Sequence, residues 1–450
     1  MILQKTILLL FFTSLFSDCP DFHHEYNQEC YYNDDILFLN NLLENNCLEL
    51  DGNGVYSVLE CFMNTTMDIN GDDIYHSTEI GQQYWQDGRL IHLDCNWGGS
   101  AEDNCQLEGS LPLSIQNLSH LELLDLSYNN LTGSIPEEIT SLNNLINLNL
   151  EDNDLNGMIP IEFGNLQNLK YLNLSDKSIS GELPESINQI TTLEELNISN
   201  NQINSELNSN LCELENIREL IINNNQITGF IPDCINNLQN LEVIDISNNA
   251  ITGSIPSNIS LLSNLEYLIM NNNNINGVLP ETIGNLDQLK ILDASTNLIE
   301  GEIPQSIINL NNALSINLYA NLLTGWIPAG LDSASDLEVL WVGQNQLTGI
   351  IPSFITYLDN YTVFDNSFCP PYPNAIILGY QDTSNCIEYI QGDLNNDLTL
   401  DIFDIIIAVQ LIINNTELNN YQFWALDLDA NTLHNVNDIL YLTQLIMYYT

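Results

Sequence analysis

Basic residues are almost missing from this chain of 450 residues. It contains 6 Lys and Arg against 60 Asp and Glu, which gives a formal net charge of -54. Nucleic acids and anionic lipids are polyanions, so a field of this sign excludes them as partners and favours cations or partners with basic patches. A solvated acidic surface adapted to a salty medium explains most of the charge equally well.

Long hydrophobic runs are also missing beyond the N-terminus. The apolar run at residues 405–413 is too short to cross a bilayer. Yet 44% of the chain is hydrophobic and only 15% is charged, with much of the remaining polarity supplied by runs of Asn. A disordered acidic tail lacks such apolar content, so the composition predicts a large folded core.

The patterns that mark common enzymes are missing as well. The six His residues are scattered, and no nucleophile elbow or phosphate-binding loop occurs. Pairs of carboxylates are everywhere in a chain with this many acids, so they do not indicate glycoside hydrolysis. The sequence therefore predicts a protein that is not an enzyme.

The N-terminus and the cysteines predict an exported protein. Residues 1–17 read as a secretory signal peptide, because Lys5 precedes an apolar run too short to span a membrane. Ten cysteines follow, and their even number in an exported chain indicates disulfides. Zinc is the alternative, but no Cys-x-x-Cys or Cys/His cluster supports it. Neighbouring cysteines are expected to pair, as Cys19–Cys30, Cys47–Cys61, Cys95–Cys105, Cys212–Cys234 and Cys369–Cys386.

An internal repeat dominates the middle of the chain. Residues 121–360 divide into ten units of 24 residues without insertion, of which LEVIDISNNAITGSIPSNISLLSN, starting at Leu241, is typical. Position nine is Asn in every unit except the third, which has Lys177, and position sixteen is Pro except for Asn208. Leu or Ile at positions one, four, six and eleven is expected to point inward and to be buried against neighbouring units.

The same columns predict the path of each unit. A short strand around positions three to seven would stack in parallel with its neighbours, and the Asn column would satisfy buried backbone groups where the chain leaves the strand. Gly followed by Ile-Pro would fix the return path.

This pattern, LxxLxLxxNxLxGxIP, resembles the plant-type subclass of leucine-rich repeats. The resemblance implies an α/β repeat solenoid, with a parallel sheet on its concave side, that binds a ligand. We expect a signal peptide at 1–17, an N-terminal cap at 18–88, repeats at 89–368 with an irregular first unit, a C-terminal cap and linker at 369–390, and a separate module at 391–450.

The concave sheet offers candidate binding residues. Positions three, five, seven, eight and ten are expected to point outward. They are rich in acids in the first five units: Asp125, Glu151, Asp152, Asp154, Asp176, Glu195 and Glu219. They are aromatic and apolar in the last four: Tyr267, Ile269, Ile291, Tyr319, Val339 and Trp341. Neighbouring strands lie about 4.8 Å apart, so the second set could form one patch for a sugar or an extended peptide. Ordinary variation on a strand surface that favours aromatics is the alternative.

Two loops near the C-terminus have oxygen-bearing residues at alternating positions. Positions one, three, five, nine and twelve of each loop, with a backbone carbonyl at seven, can converge on one hard cation, which predicts Ca²⁺. The first loop has Asp393, Asn395, Asp397, Thr399 (carbonyl), Asp401 and Asp404. The second has Asp427, Asp429, Asn431, Leu433 (carbonyl), Asn435 and Asp438. Amphipathic helices are expected at 404–413 and 438–447.

This duplicated loop and helix resembles a type I dockerin, a small all-α, EF-hand-like calcium module. The resemblance implies docking to a cohesin-like protein. Two features depart from the dockerin pattern: Leu398 and Thr432 replace the usual Gly at position six. In addition, Ile402-Phe403 and Val436-Asn437 replace the usual Ser/Thr pair at ten and eleven.

A weaker loop lies in the predicted N-terminal cap. It resembles an EF-hand loop, with an Asx-rich turn as the alternative. Its candidate calcium ligands are Asp68, Asn70, Asp72, Ile74 (carbonyl), His76 and Glu79.

Together these features predict a secreted or surface-attached protein whose repeats recognise an extracellular protein or glycan and whose C-terminal module binds calcium. The alternatives are a structural or adhesion component that docks to a cohesin-like partner, and an inhibitor of a secreted hydrolase.

Overall fold

The computed structural model describes most of the repeats and parts of both ends of the chain. The described residues are 23–26, 29–46, 56–57, 74–75, 80–96, 105–207, 209–328, 330–374, 376–384, 386, 390–395, 399–414, 418–428 and 434–449. The predicted signal peptide lies outside them. The chain divides into two compact units, Met1–Ile203 and Asn204–Thr450.

Most repeats fold as a rung with two short strands and a 3-10 turn, and residues 241–264 keep the first strand and the 3-10 turn. In residues 241–264, Leu241, Ile244, Ile246 and Ile251 are buried, as predicted for positions one, four, six and eleven. The strand Val243–Asp245 covers only positions three to five, which is shorter than predicted. Ladder hydrogen bonds nevertheless continue to position eight, where the amide of Asn248 donates to the Asn271 carbonyl (2.9 Å).

The N-terminal elements of the first unit precede its repeats. An antiparallel pair leads into a helix whose Phe38, Leu39 and Leu42 are fully buried. A hairpin follows, turning through Asp87 and Gly88 at positive φ, as a type I′ turn requires. These elements are β1 (His23–Tyr26), β2 (Glu29–Tyr32), α1 (Asn33–Asn46), β3 (Tyr56–Ser57), β4 (Ile74–Tyr75), β5 (Gln82–Gln86) and β6 (Arg89–Asp94). The helix predicted near residues 34–45 is therefore present.

The repeats of the first unit build two parallel sheets. The first sheet continues from β6 through β8 (Leu123–Asp125), β10 (Asn147–Asn149), β12 (Tyr171–Asn173) and β14 (Glu195–Asn197). The second contains β7 (Glu108–Ser110), β9 (Asn130–Ser134), β11 (Asp154–Gly157), β13 (Ser178–Gly181) and β15 (Gln202–Ile203). Short 3-10 helices follow the prolines, at Leu113–Asn117, Glu137–Ser141, Phe163–Asn165 and Glu185–Gln189.

The second unit repeats this arrangement. Its first sheet contains β17 (Glu219–Ile221), β19 (Val243–Asp245), β20 (Tyr267–Ile269), β22 (Ile291–Asp293), β24 (Ser315–Asn317), β26 (Val339–Trp341) and β27 (Asn360–Thr362). On the other side, β16 (Glu206–Leu207) pairs with β18 (Thr228–Gly229), and β21 (Asn276–Val278), β23 (Leu298–Glu302) and β25 (Leu322–Thr324) form a second group. The 3-10 helices are Ser209–Glu213, Asp233–Asn237, Ser257–Leu261, Glu281–Asn285, Gln305–Asn309, Leu331–Ser333 and Ser353–Tyr357.

The position-nine asparagines form the predicted buried ladder. Asn297 is representative, because its Nδ2 donates to the carbonyls of Met270 (3.0 Å), Ala294 (3.3 Å) and Ser295 (3.1 Å). Its Oδ1 accepts the amide of Ile275 at 3.0 Å. Each amide therefore serves its own turn and the preceding rung, so the ladder couples neighbours as well as closing turns.

The ladder extends past the last regular repeat. Asn366 accepts the amide of Leu347 (2.9 Å) and donates to the Val342 carbonyl (3.0 Å), although it departs from the 24-residue spacing. Phe368 is fully buried beneath this irregular rung. Residues after 360 thus continue the array before the disulfide Cys369–Cys386 closes it.

Three of the predicted disulfides lie within the described residues, and all three pair as expected: Cys95–Cys105, Cys212–Cys234 and Cys369–Cys386. Cys30 is also disulfide-bonded. Cys19, Cys47 and Cys61 lie outside the described residues.

Three helices form the C-terminal segment: α2 (Ile402–Asn414), α3 (Asn420–Leu426) and α4 (Val436–Tyr449). A small core holds them together, made of Leu394, Ala408, Ala425, Leu426, Leu442 and Ile446. Helices α2 and α4 contain the two predicted helices and begin two residues earlier than expected. α3 begins with a capping box in which Asn419 and Gln422 exchange hydrogen bonds.

Candidate functional site

The aromatic and apolar residues predicted as a binding patch lie on the first sheet of the second unit. Tyr267 pairs in register with Ile291, and Val339 lies two strands further along the same column, after Ser315. All three are half-buried and flank a fully enclosed central residue on each strand. The structure therefore brings the position-three residues into one outward-facing column, interrupted by Ser315.

The position-five residues form a mixed column beside it. Ile269 is followed by Asp293, Asn317 and Trp341 on successive strands. Asn317 donates to the Asp293 carboxylate at 3.0 Å, so these two polar groups satisfy each other. Ile269 and Trp341 are thus separated by a polar pair, and the predicted patch is apolar along one column only.

An aromatic cluster closes the end of this face. The rings of Tyr319 and Phe364 meet edge to face, with centroids 5.9 Å apart. Trp341 is half-buried, and its indole Nε1 is shielded from solvent without a hydrogen-bond acceptor. A buried donor without a partner costs free energy, which an oxygen from a ligand could recover after a small rearrangement of the ring. Phe364 was not among the predicted residues, since it follows the last regular unit.

Positions seven and ten do not belong uniformly to the outward surface of the first sheet. Position seven is buried where it is Ser, because the hydroxyl turns back to the carboxylate or amide at position five, as Ser127 does to Asp125 (2.6 Å). Position ten belongs to the second sheet, where Asp154 begins β11. In the compact unit Met1–Ile203, the acidic face therefore consists mainly of residues at repeat positions three, five and eight, together with Glu151 at position seven.

Two carboxyl groups on that face have a raised pKa, mainly because they are partly buried. Burial raises the pKa of Glu151, and the negative charge of Asp176 adds to the effect, against hydrogen bonds from Tyr128 and Asn173. Burial, with a contribution from Asp125, likewise raises the pKa of Asp94. This face favours positive ligands and disfavours acidic ones.

Lys177 occupies the ladder position that is Asn in the other regular repeats. Its ammonium donates to the carbonyl of Leu150 in the preceding rung. The ladder asparagines donate to the equivalent carbonyl, as Asn297 does to that of Met270. Burial lowers the pKa of Lys177 to about 7, against the attraction of Glu151, Asp152 and Asp176. An ammonium cannot accept a hydrogen bond, so the Leu155 amide lacks the acceptor that the column supplies elsewhere.

The remaining described basic residues all form ion pairs. Arg89 pairs with the buried Asp35 in the N-terminal cap (2.9 Å). The other three occupy position two and pair with a glutamate at position two of an adjacent rung: Lys170–Glu194 (2.7 Å), Arg218–Glu242 (2.8 Å) and Lys290–Glu266 (2.6 Å). These pairs were not predicted, although the sequence carries them as opposite charges 24 residues apart.

The two predicted calcium loops have matching geometry at their twelfth positions. Asp404 is fully buried and accepts the amides of Leu394 (2.8 Å) and Asp401 (2.9 Å), which are loop positions two and nine. In the second loop, Asp438 is fully buried and accepts the amides at the equivalent positions: Leu428 (3.1 Å) and Asn435 (2.8 Å). The duplication seen in the sequence is therefore a structural one.

Further donors in these loops fit a hard cation. Asp393, at position one, is fully buried, and the pKa of Asp404 is raised by burial, with a contribution from the charge of Asp393. Buried carboxylates of this kind fit the oxygen donors that Ca²⁺ prefers. Among the residues that the structure describes, no group of three His, Cys, Asp or Glu is arranged around a metal position. Asp397, Asp429, Asn431 and Leu433 lie outside the described residues.

The weaker N-terminal loop cannot be followed in the same way. Asp68, Asn70, Asp72, His76 and Glu79 lie outside the described residues, and Ile74 lies in β4. This loop remains a prediction.

The array contains leucine-rich repeats. Residues 153–254 match the family described as leucine-rich repeat region, and residues 120–142, 264–286 and 336–358 match single leucine rich repeats. None of the curated proteins matches the sequence. Such arrays are typically binding scaffolds.

Several solved structures share this fold. The plant peptide hormone receptor RGFR1, in complex with RGF2, is 32% identical, with a TM-score of 0.58 over 62% of this chain and 44% of that chain. A TDR receptor is 29% identical, with a TM-score of 0.52 over 62% of this chain and 56% of that one. A plant ice-binding protein is 22% identical, with a TM-score of 0.53 over 77% and 99% of the two chains. This chain thus spans about half the length of the two receptors.

None of the helices within the described residues has the length and apolar character needed to cross a bilayer. The disulfides are typical of proteins that fold in an oxidising compartment, which is consistent with an extracellular location.

Proposed function

We propose that this protein binds an extracellular ligand, an extended peptide or a glycan, on the first sheet of its second unit. The observation that carries the proposal is the outward column of Tyr267, Ile291 and Val339 beside Trp341. Half-exposed aromatic side chains bury large areas at little entropic cost, and the neighbouring Asp293 and Asn317 supply hydrogen-bonding groups.

The structural neighbours support a peptide. The RGFR1 structure is a plant peptide hormone receptor with RGF2 bound, and the structure of PEPR1-AtPEP1 has a TM-score of 0.50 at 25% identity, over 75% of this chain and 56% of that one. We also assign the repeats to the plant-type LxGxIP subclass.

A binding screen with the full chain tests this function. Peptide and glycan arrays identify a ligand, and Tyr267→Ala and Trp341→Ala are then expected to weaken its binding at least about tenfold, as loss of an aromatic anchor does. Phe230→Ala is the matched control, because Phe230 is an exposed aromatic residue outside this face. Equal binding by all three variants and the wild type would refute the assigned face.

We further propose that the two C-terminal loops bind calcium, as a dockerin-like module does. The support is the equivalent placement of Asp404 and Asp438. Calorimetric titration of the full chain is expected to show two sites, and Asp404→Asn and Asp438→Asn should each remove or strongly weaken one. Asp359→Asn, an exposed change, should keep both. No calcium-dependent heat in the wild type would contradict the assignment.

A second candidate function, docking to a cohesin-like partner, is favoured by the exposed apolar side chains of the same segment. They occur in pairs at equivalent loop-numbered positions: Ile402 and Val436, Ile406 and Leu440, and Ile413 and Met447. A duplicated apolar surface of this kind is typical of a protein interface. Binding of the full chain to a cohesin panel, lost in Ile406→Asp and Leu440→Asp but retained in Asp359→Asn, would establish it. No binding by the wild type would exclude it.

A further inference from the structure

Helix α3 lies between the two predicted calcium loops and packs against the ninth repeat. The ring of Tyr421 meets the ring of Trp326 edge to face, with centroids 6.2 Å apart. Phe423 lies near Gly330, where an added Cβ would stand 3.8 Å from its ring and 3.9 Å from Ile308 of the preceding repeat. Ala425 and Leu426 of the same helix lie in the core of the helical segment, and Tyr421 also packs against that core.

The same two aromatic residues contact the loops. Tyr421 donates its hydroxyl to the carbonyl of Asp393, the first residue of the first loop, at 2.5 Å. Phe423 meets the ring of His434 edge to face at 4.2 Å, and its carbonyl lies 2.9 Å from His434 Nε2. His434 stands at position eight of the second loop. Each loop therefore directly contacts one of the two α3 residues that also contact the repeats: Asp393 contacts Tyr421, and His434 contacts Phe423.

We propose that calcium loading of the two loops and the seating of α3 on the ninth repeat are coupled. This inference rests on the proposed calcium binding. A cation that fixes Asp393 and the second loop also fixes the partners of Tyr421 and Phe423, and so orders the face that contacts Trp326 and Gly330. Because coupling free energy is reciprocal, the repeats in turn strengthen calcium binding.

Trp326→Ala tests the coupling from the repeat side without altering either loop. In calorimetric titration of the full chain, we expect calcium to bind at least about fivefold more weakly than in the wild type, the lower end of typical coupling. Phe230→Ala is the matched control, since Phe230 occupies the same repeat position, fourteen, in the fifth repeat. It should leave calcium affinity unchanged.

Tyr421→Phe tests the coupling with less disturbance of the repeats. It keeps the ring against Trp326 and removes only the hydrogen bond to Asp393, so weaker binding at one site is expected. Tyr441→Phe, at a half-exposed tyrosine of α4, is its control.

Hydrogen exchange supplies a readout besides affinity. Adding calcium to the wild type should slow exchange in α3 and around Trp326, and in Trp326→Ala it should slow α3 much less. If calcium binds with equal affinity to the wild type and to both Trp326→Ala and Tyr421→Phe, the coupling is refuted and calcium binding stands. If the wild type takes up no calcium, the proposed calcium function fails and the coupling fails with it.

Discussion

Lys177 is the member of the position-nine column whose charge can change. Its folded pKa, about 7, lies below its usual 10.5, so the unfolded chain holds more protons between these values. The folded state therefore carries the full cost of the buried charge below pH 7, and stability rises with pH across that window.

Lys177→Asn restores the column and is expected to stabilise the fold by about 1 to 3 kcal/mol near pH 6. The gain should shrink toward pH 9.5, measured by urea unfolding at both pH values. Lys170→Asn is the control, because Lys170 lies in the same repeat but is exposed in an ion pair, and it should change stability by less than about 1 kcal/mol. A gain independent of pH would contradict a buried charge.

The neighbouring residues Asn273 and Asn274 allow a comparison between a buried asparagine of the ladder and an exposed asparagine. Asn273 is buried and donates to three carbonyls, whereas the side chain of Asn274 is exposed. Asn273→Ala should cost about 2 kcal/mol, since it leaves buried backbone groups without partners, and Asn274→Ala should cost only a few tenths. Thermal and urea unfolding of the two variants would show equal losses if the ladder were dispensable.

At the residue scale, the burial and hydrogen bonding of a side chain were predictable where the same residue type recurs at the same repeat position. The ladder and the inward leucines followed from period alone, because a slip of one residue would break them together. The burial of the serines at position seven is not predictable from the period, because it depends on a local hydrogen bond such as that from Ser127 to Asp125. Phe364 was missed because it follows the last regular unit.

At the element scale, the disulfide Cys212–Cys234 joins two consecutive 3-10 helices in the second unit. In the sequence, Cys212 follows by four residues the position where the repeat has Asn208 in place of the position-sixteen proline. Replacing both cysteines by Ala should destabilise the unit by about 2 to 4 kcal/mol, given the length of the closed loop. Reducing agent should lower the melting temperature of the wild type more than that of this variant, and an equal drop would count against the idea.

Helices α2 and α4 were predicted from their loops, whereas α3 was not. Seven residues between two acidic loops are too few for a periodic signal, and its role depends on contacts with Trp326 and Gly330, about a hundred residues earlier in the chain. The run Tyr421–Trp424 was an unused hint, since three aromatics within four residues seldom lie free of a packing partner.

At the scale of the whole molecule, negative charge is almost unopposed. The described arginines and lysines are paired with carboxylates or buried, which leaves no free cation on the described surface to offset the net charge of -54. Self-repulsion of this size destabilises a compact state and is weakened by salt.

The melting temperature should therefore rise as NaCl is raised from 10 to 150 mM, which shortens the Debye length from about 30 to about 8 Å. A chelator keeps calcium out of the comparison, and sucrose at matched osmolality controls for effects unrelated to charge. A melting temperature that stays flat or falls would show that the acids are not repelling one another in the folded state.

The asparagine ladder also determines which changes in gene length the protein can tolerate. Each rung bonds to the preceding one through the same donors and acceptors, as Asn297 does with Met270 and Ile275. Removing a whole 24-residue period joins two rungs whose partners are already the right ones, while removing a single codon shifts the columns within the rung where it falls. Recombination between repeats can thus lengthen or shorten the array by whole repeats. The length of the binding surface can then be changed through the number of repeats, without changing the sequence of any repeat.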